Sequence, residues 1–152
     1  MSRVIKFRAW DEAEKWMGEV SSIDFEEGYL FLTTRNSDDE NRFDLRAIPL
    51  MQFTGLYDKN GAEIYEGDIL RVWQEDEYIP NRDRGGGIID YDKEKGFSQI
   101  GKVGFTGCSF DYRTVKTLSG KEEKIHAPID WINNYEVIGN IYEHPHLLEV
   151  AQ

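Results

Sequence analysis

The chain offers few residues whose types and spacing could do chemistry. His144 and His146 flank Pro145, and His126 stands apart from them. Two imidazoles at that spacing could touch one metal ion, but a site needs three or four ligands and no partner of fixed spacing accompanies them. Asp90 and Asp92 share a face of any extended segment, so paired carboxylates are geometrically allowed there. The same pair is the ordinary make-up of a solvated strand face. Cys108 is the only cysteine. It lacks a local nucleophile signature and reads as a small packed residue, and its solitude excludes an internal disulfide and a thiolate zinc site. Gly85-Gly86-Gly87 leads into Ile88-Ile89 instead of a helix bearing Lys-Ser or Lys-Thr, and Ser119-Gly120-Lys121-Glu122 fails the same test, so neither is a phosphate loop. No catalytic residue, metal ligand or cofactor is predicted.

Aromatic surface is the stronger signal. Four tryptophans, eight tyrosines and eight phenylalanines exceed what a small core requires, which points to contact between polypeptides, including copies of this chain. Trp10, Trp16, Trp73 and Trp131 are the candidate interface residues, because large rings bury much area for little lost conformational freedom. Ordinary packing inside one subunit competes with that role at each position. The alternative is single-stranded nucleic acid held by Tyr112, Arg113, Lys116, Lys121 and Lys124, with Trp131 as a further stacking ring. A formal net charge of −11, with 31% charged residues, opposes it, since a phosphate backbone would have to be met against a repulsive field.

These candidates must be positioned by short extended segments. Residues 5–9 alternate apolar with basic or aromatic, residues 11–15 are a polar turn, and residues 16–20 read as a returning second strand, with a short helical turn as the alternative. Ile23 and Phe25 belong to a further short strand, and Glu26-Glu27-Gly28 turns into the apolar run Tyr29-Leu30-Phe31-Leu32. Residues 33–41 read as an exposed excursion. Residues 74–87 combine acidic residues, Pro80 and three glycines, and read as the longest loop. Ile88-Ile89-Asp90-Tyr91, residues 100–105 and residues 110–115 are strands, with turns at residues 92–96 and 119–121. Residues 131–141 read as a last strand, followed by a short helix with Pro145 in its first turn.

The densest text is Leu50-Met51-Gln52-Phe53-Thr54-Gly55-Leu56-Tyr57-Asp58-Lys59-Asn60-Gly61-Ala62-Glu63-Ile64-Tyr65-Glu66-Gly67-Asp68-Ile69-Leu70-Arg71-Val72. It predicts strand, hairpin turn, strand, tight turn and strand, because Asp-Lys-Asn-Gly supplies residues that tolerate a left-handed backbone and Glu-Gly-Asp reverses the chain. Asp58, Asn60, Gly61, Glu66, Gly67 and Asp68 are polar and crowded like a site, yet turn chemistry accounts for them. The text resembles the YopX family of phage and prophage proteins, as do Tyr135-Glu136-Val137-Ile138-Gly139-Asn140-Ile141-Tyr142-Glu143 and the segment from Ile5 to Asp11. Where that family commonly has Asn before the proline, this chain has His144, a weaker helix cap. The resemblance implies an accessory protein encoded by a phage or prophage, with no established activity.

The fold expected is mainly β: an N-terminal β subdomain over residues 1–65, and an SH3-like small barrel with a short terminal helix over residues 66–152. With 39% apolar residues the chain can bury a core. The alternating N-terminus is unlike a signal peptide, and no window approaches the roughly 18 apolar residues of a membrane helix. The expectation is a protein of the bacterial cytoplasm that binds itself and another phage or host protein.

Overall fold

The computed structural model describes residues 3–33 and 40–150. The first six strands are β1 (Phe7–Asp11), β2 (Trp16–Asp24), β3 (Tyr29–Thr33), β4 (Glu40–Asp44), β5 (Leu50–Tyr57) and β6 (Glu63–Tyr65). They form one antiparallel sheet in the order β4-β3-β2-β1-β5-β6. The turn between β1 and β2 is tied by Asp11, whose carboxylate accepts the backbone N–H groups of Ala13 and Glu14 at 3.1 and 3.3 Å. The segments expected as two strands around residues 16–25 are a single strand, β2, with an irregularity between Val20 and Ser22 where it pairs with β3. Of the expected excursion, residues 34–39 lie outside the described residues. Its end is instead the start of β4, which runs in register with β3 from Thr33↔Glu40 to Tyr29↔Asp44.

The remaining strands are β7 (Asp68–Gln74), β8 (Glu77–Arg82), β9 (Ile88–Glu94), β10 (Phe97–Thr106), β11 (Ser109–Ser119), β12 (His126–Pro128) and β13 (Tyr135–Asn140). Five make a second antiparallel sheet in the order β12-β11-β10-β7-β13, while β8 and β9 pair only with each other. The long loop expected at residues 74–87 is therefore corrected. Residues 77–82 are a strand, because proline and charge are tolerated where both strands of a hairpin are edges and one side of each need donate nothing. Residues 85–87 form its tip, where Asp83 accepts the N–H groups of Gly85 and Gly87 at 2.9 and 2.8 Å. The strand expected over residues 131–141 is also shorter. A 3-10 turn, Ile129–Trp131, precedes it, and a second, Pro145–Leu148, follows as the single turn of terminal helix.

Both sheets are half-buried in the way their alternation dictates. Ala9, Leu30, Leu32 and Ile48 pack under the first. Leu70, Val72, Val103, Tyr112 and Ile129 pack under the second, together with Ile64 from β6. Burying such side chains contributes roughly 1.5–3 kcal/mol each. Ile64 carries the first sheet into the second core, and polar contacts complete the join. Gly67, at φ +84°, donates its N–H to Val103 and accepts from Ile141. Arg8 Nη2 donates to Asp68 Oδ1 at 2.7 Å across the same seam. Among the described residues no helix is long and apolar enough to cross a membrane.

Candidate polypeptide-binding groove

One end of the second sheet carries an open groove that two of the candidate tryptophans share. Ile129 is completely buried and anchors the 3-10 turn. Ile132 donates its N–H back to the Ile129 carbonyl at 3.0 Å, and Ile132 packs against the same core. With Ile129 and Ile132 held inward, Trp131 is turned out and stays 76% exposed. Opposite it, near the end of β7, stands Trp73, which is buried at the sheet surface. Asn134 fixes this wall to the turn: the Trp73 N–H donates to the Asn134 carbonyl at 3.2 Å, and Asn134 Nδ2 donates to the Trp73 carbonyl at 3.2 Å. The guanidinium of Arg71 lies 4.1 Å from the Trp73 ring centroid and Lys59 Nζ lies 4.7 Å from it, a geometry worth about 0.5–1 kcal/mol per cation at partly exposed sites.

The groove encloses about 320 Å³ and is walled chiefly by Trp73, Phe97, Ile125, Trp131, Ile132 and Asn134. A second cleft of about 510 Å³ continues from it, sharing Trp73, Gln74 and Phe97 and reaching Glu75, Asp76 and Lys95. Such volumes suit a few side chains of a partner. The connection over residues 120–125 borders the groove and is pinned by Gln99, which is buried. Gln99 Nε2 donates to the Glu123 carbonyl at 2.5 Å and its Oε1 accepts from Thr114 Oγ1 at 2.7 Å. Asp76 accepts the Gly96 N–H at 2.7 Å, and that bond leads the effects holding its carboxyl below the usual aspartate range.

The other sequence candidates fall elsewhere. Trp10 is buried, stacked on Tyr142 with ring centroids 5.8 Å apart, and its indole N–H donates to Glu12 Oε2 at 2.6 Å. Trp16 is half-buried against the first core. These rings fill the interior, a distinction that a count of aromatics does not make. Tyr112 is corrected as a base-stacking residue. It is completely buried, with desolvation pushing its phenol pKa up, because strand alternation turns it inward while Arg113 beside it faces out. Lys116 Nζ is engaged with the Glu149 carbonyl at 2.9 Å. Lys121 and Lys124 are exposed on the connection beside the groove.

The carboxylates of Asp58, Glu66 and Asp68 in the central text are used internally. Asp58 is buried. Its Oδ1 accepts the N–H groups of Asn60 and Ala62 at 2.9 and 2.8 Å, and its Oδ2 accepts that of Val137 at 2.9 Å. Burial alone pushes this carboxyl up, but the three N–H donors outweigh it and hold the pKa below the ordinary value. Asp68 Oδ2 accepts the Tyr65 N–H at 2.8 Å while its Oδ1 faces Arg8. Desolvation dominates there and pushes the Asp68 carboxyl up, with Arg8 opposing. Glu66 accepts the Gln52 N–H at 3.0 Å. These carboxylates set turns and join sheets.

His126 Nε2 lies 2.8 Å from Asp111 Oδ2. His144 and His146 have ring centroids 6.2 Å apart, and His144 Nδ1 accepts the Asn140 N–H at 3.1 Å. Among the described residues no three of His, Cys, Asp or Glu are gathered to hold a metal ion.

No curated protein matches the chain. A crystal structure of protein EF1440 from Enterococcus faecalis is similar at 26% identity and a TM-score of 0.54, over 97% of this chain and 100% of that one. The YopX protein family matches residues 6–149, which takes in β1 to β13 and both walls of the groove. The chain belongs to the YopX family.

Proposed function

We propose that this protein is a phage- or prophage-encoded accessory protein that works in the bacterial cytoplasm by binding another polypeptide and further copies of itself. We read its first 65 residues as a β subdomain, and residues 66–152 as an SH3-like small barrel, with the 3-10 turn Ile129–Trp131 leading into the last strand. The observation that carries the binding reading is Trp131, an indole 76% exposed beside an aromatic groove. Water-exposed tryptophan is uncommon unless a partner covers it, and its burial supplies much of an interface's free energy.

Single-stranded nucleic acid is the competing occupant, supported by Lys121 and Lys124, exposed on the connection that borders the groove. Asp130, which precedes Trp131 in the chain, Glu75 and Asp76 in the adjoining cleft, and the net charge of −11 all weigh against it. The test is a comparative capture from host cytoplasm with the wild-type chain and Trp131→Ala. A polypeptide retained by the first and lost by the second supports the reading. Equal retention by both, or retention of nucleic acid whose binding falls steeply with salt, overturns it.

A further inference from the structure

The β8–β9 hairpin stands off the body with both faces in water. Every residue of β9 is exposed, and among the described residues no other strand or helical turn packs extensively on either strand. A two-stranded hairpin in that state is marginal by itself. Yet it displays Tyr78, Ile79, Ile88, Ile89 and Tyr91, each between 48% and 68% exposed, so the arm is built to be covered.

Its two faces differ in charge. The register pairs Tyr78 with Lys93 and Pro80 with Tyr91, then Arg82 with Ile88 past a bulge at Ile89. Opposed residues point the same way, so one face carries rings, aliphatic surface and only cations, Arg82 and Lys93. The other pairs Glu77 with Glu94, Ile79 with Asp92 and Asn81 with Asp90. That face holds four carboxylates around one isoleucine, and Glu77 directly opposite Glu94 is a repulsive pair. Among the described residues no cation pairs with these four; Asp90 accepts only from Asn81 Nδ2, at 2.9 Å. The cations are lightly held, Lys93 3.4 Å from Asp76 and Arg82 on the Gly86 carbonyl.

We infer that the arm is the self-association element, and that the cationic aromatic face of one copy seats on the acidic face of the arm of the next. This rests on the self-binding part of the reading above and names its surface and geometry. Like faces repel, weakly for the two cations, since Asp76 offsets part of the charge of Lys93, and strongly for −4 on −4, whereas unlike faces attract and cover Tyr78, Tyr91 and Ile79 together. The contact removes on the order of 1,000 Å² in all, the low end of specific interfaces, so association is concentration-dependent. Because unlike faces meet, the contact is head-to-tail and propagates to a ring or an open chain of copies.

The test is light scattering coupled to gel filtration on the full chain and two variants. Arg82→Glu/Lys93→Glu reverses the cationic face, and Asp90→Lys/Asp92→Lys cancels the net charge of the acidic one; circular dichroism checks that each keeps the wild-type fold. The expected result is a wild type that grows in mass with concentration and shrinks with salt, each variant alone at single-chain mass, and an equimolar mixture that forms pairs and stops there. Wild type at single-chain mass at every concentration refutes self-association itself. Association that survives in the Asp90→Lys/Asp92→Lys variant, or a mixture that remains single chains, overturns the head-to-tail arm while leaving self-association standing.

Discussion

Replacing Asp58 with alanine removes the carboxylate that locks the turn over residues 58–62 onto β13. Three N–H groups lose their acceptor. Those of Asn60 and Ala62 lie in an exposed turn and can take water instead, so each loss costs about 0.5–1 kcal/mol. The Val137 N–H is different: β13 is an edge strand paired only with β7, and Asp58 Oδ2 plugs the side of Val137 that faces away from that ladder. Leaving this half-buried donor unmet costs about 1–3 kcal/mol. The sum is about 3 kcal/mol, or roughly a 10 °C fall in Tm for a chain of this size.

Asp58→Asn separates the parts. It keeps one carbonyl oxygen for the turn and places an amide NH₂ or a mismatched acceptor toward Val137, so it lands between wild type and alanine. Titration adds a signature. The folded-state pKa is lowered, so the stabilisation is fully present above the unfolded value near 3.8 and is lost as pH falls through the lower folded value. Urea unfolding at pH 7 and at steps below pH 4 measures both effects. A loss under about 1 kcal/mol at pH 7, or a gap between wild type and Asp58→Ala that does not narrow below pH 4, refutes the reasoning.

Other perturbations follow from the same contacts. Arg8→Ala leaves Asp68, 2% exposed, without its counter-charge and should cost about 3–5 kcal/mol at pH 7. Because the Asp68 pKa is already raised by burial and rises further without Arg8, the deficit should shrink as pH falls and the carboxyl takes a proton, which denaturant melts across mild acid would record. Gly101→Ala drives a Cβ into the Arg113 carbonyl and the Tyr112 ring, an overpacking of about 2–3 kcal/mol or more. Gly139→Ala sets its Cβ 2.7 Å from His144 Nδ1. Combined with His144→Ala it should be less destabilising than the two single changes summed, as a double-mutant cycle would show. Trp131→Ala should leave Tm within about 1 °C, since most of the side chain already lies in water, while weakening partner binding by about 2 kcal/mol or more.

The parts legible in the sequence were those where local chemistry and tertiary structure agree. Residues 50–72 form the strands and turns their text implies, because Asp58, Asn60, Gly61 and Gly67 do what those residue types do in any chain. β4 was hidden: Glu-Asn-Arg-Phe-Asp has no strand signature, and it is held by its ladder with β3 and by Arg42 lying 4.5 Å from the Tyr29 ring centroid. β8 was hidden by Pro80, whose missing donor matters only in a strand paired on both sides. Among the tryptophans, residue type could not separate Trp10 and Trp73, which the sheets bury, from Trp131, which a single buried residue, Ile129, forces outward. The groove was therefore readable as a surplus of rings and not as a place.

The most direct measurement replaces Trp131 with an aromatic photo-crosslinking amino acid, which keeps a large ring at the groove, and irradiates the protein in host cytoplasm. A discrete adduct between position 131 and a polypeptide is expected, absent when the crosslinker sits at an exposed position that does not line the groove, such as Phe25 in the turn between β2 and β3. An adduct to nucleic acid, or none at 131 above that control, contradicts it.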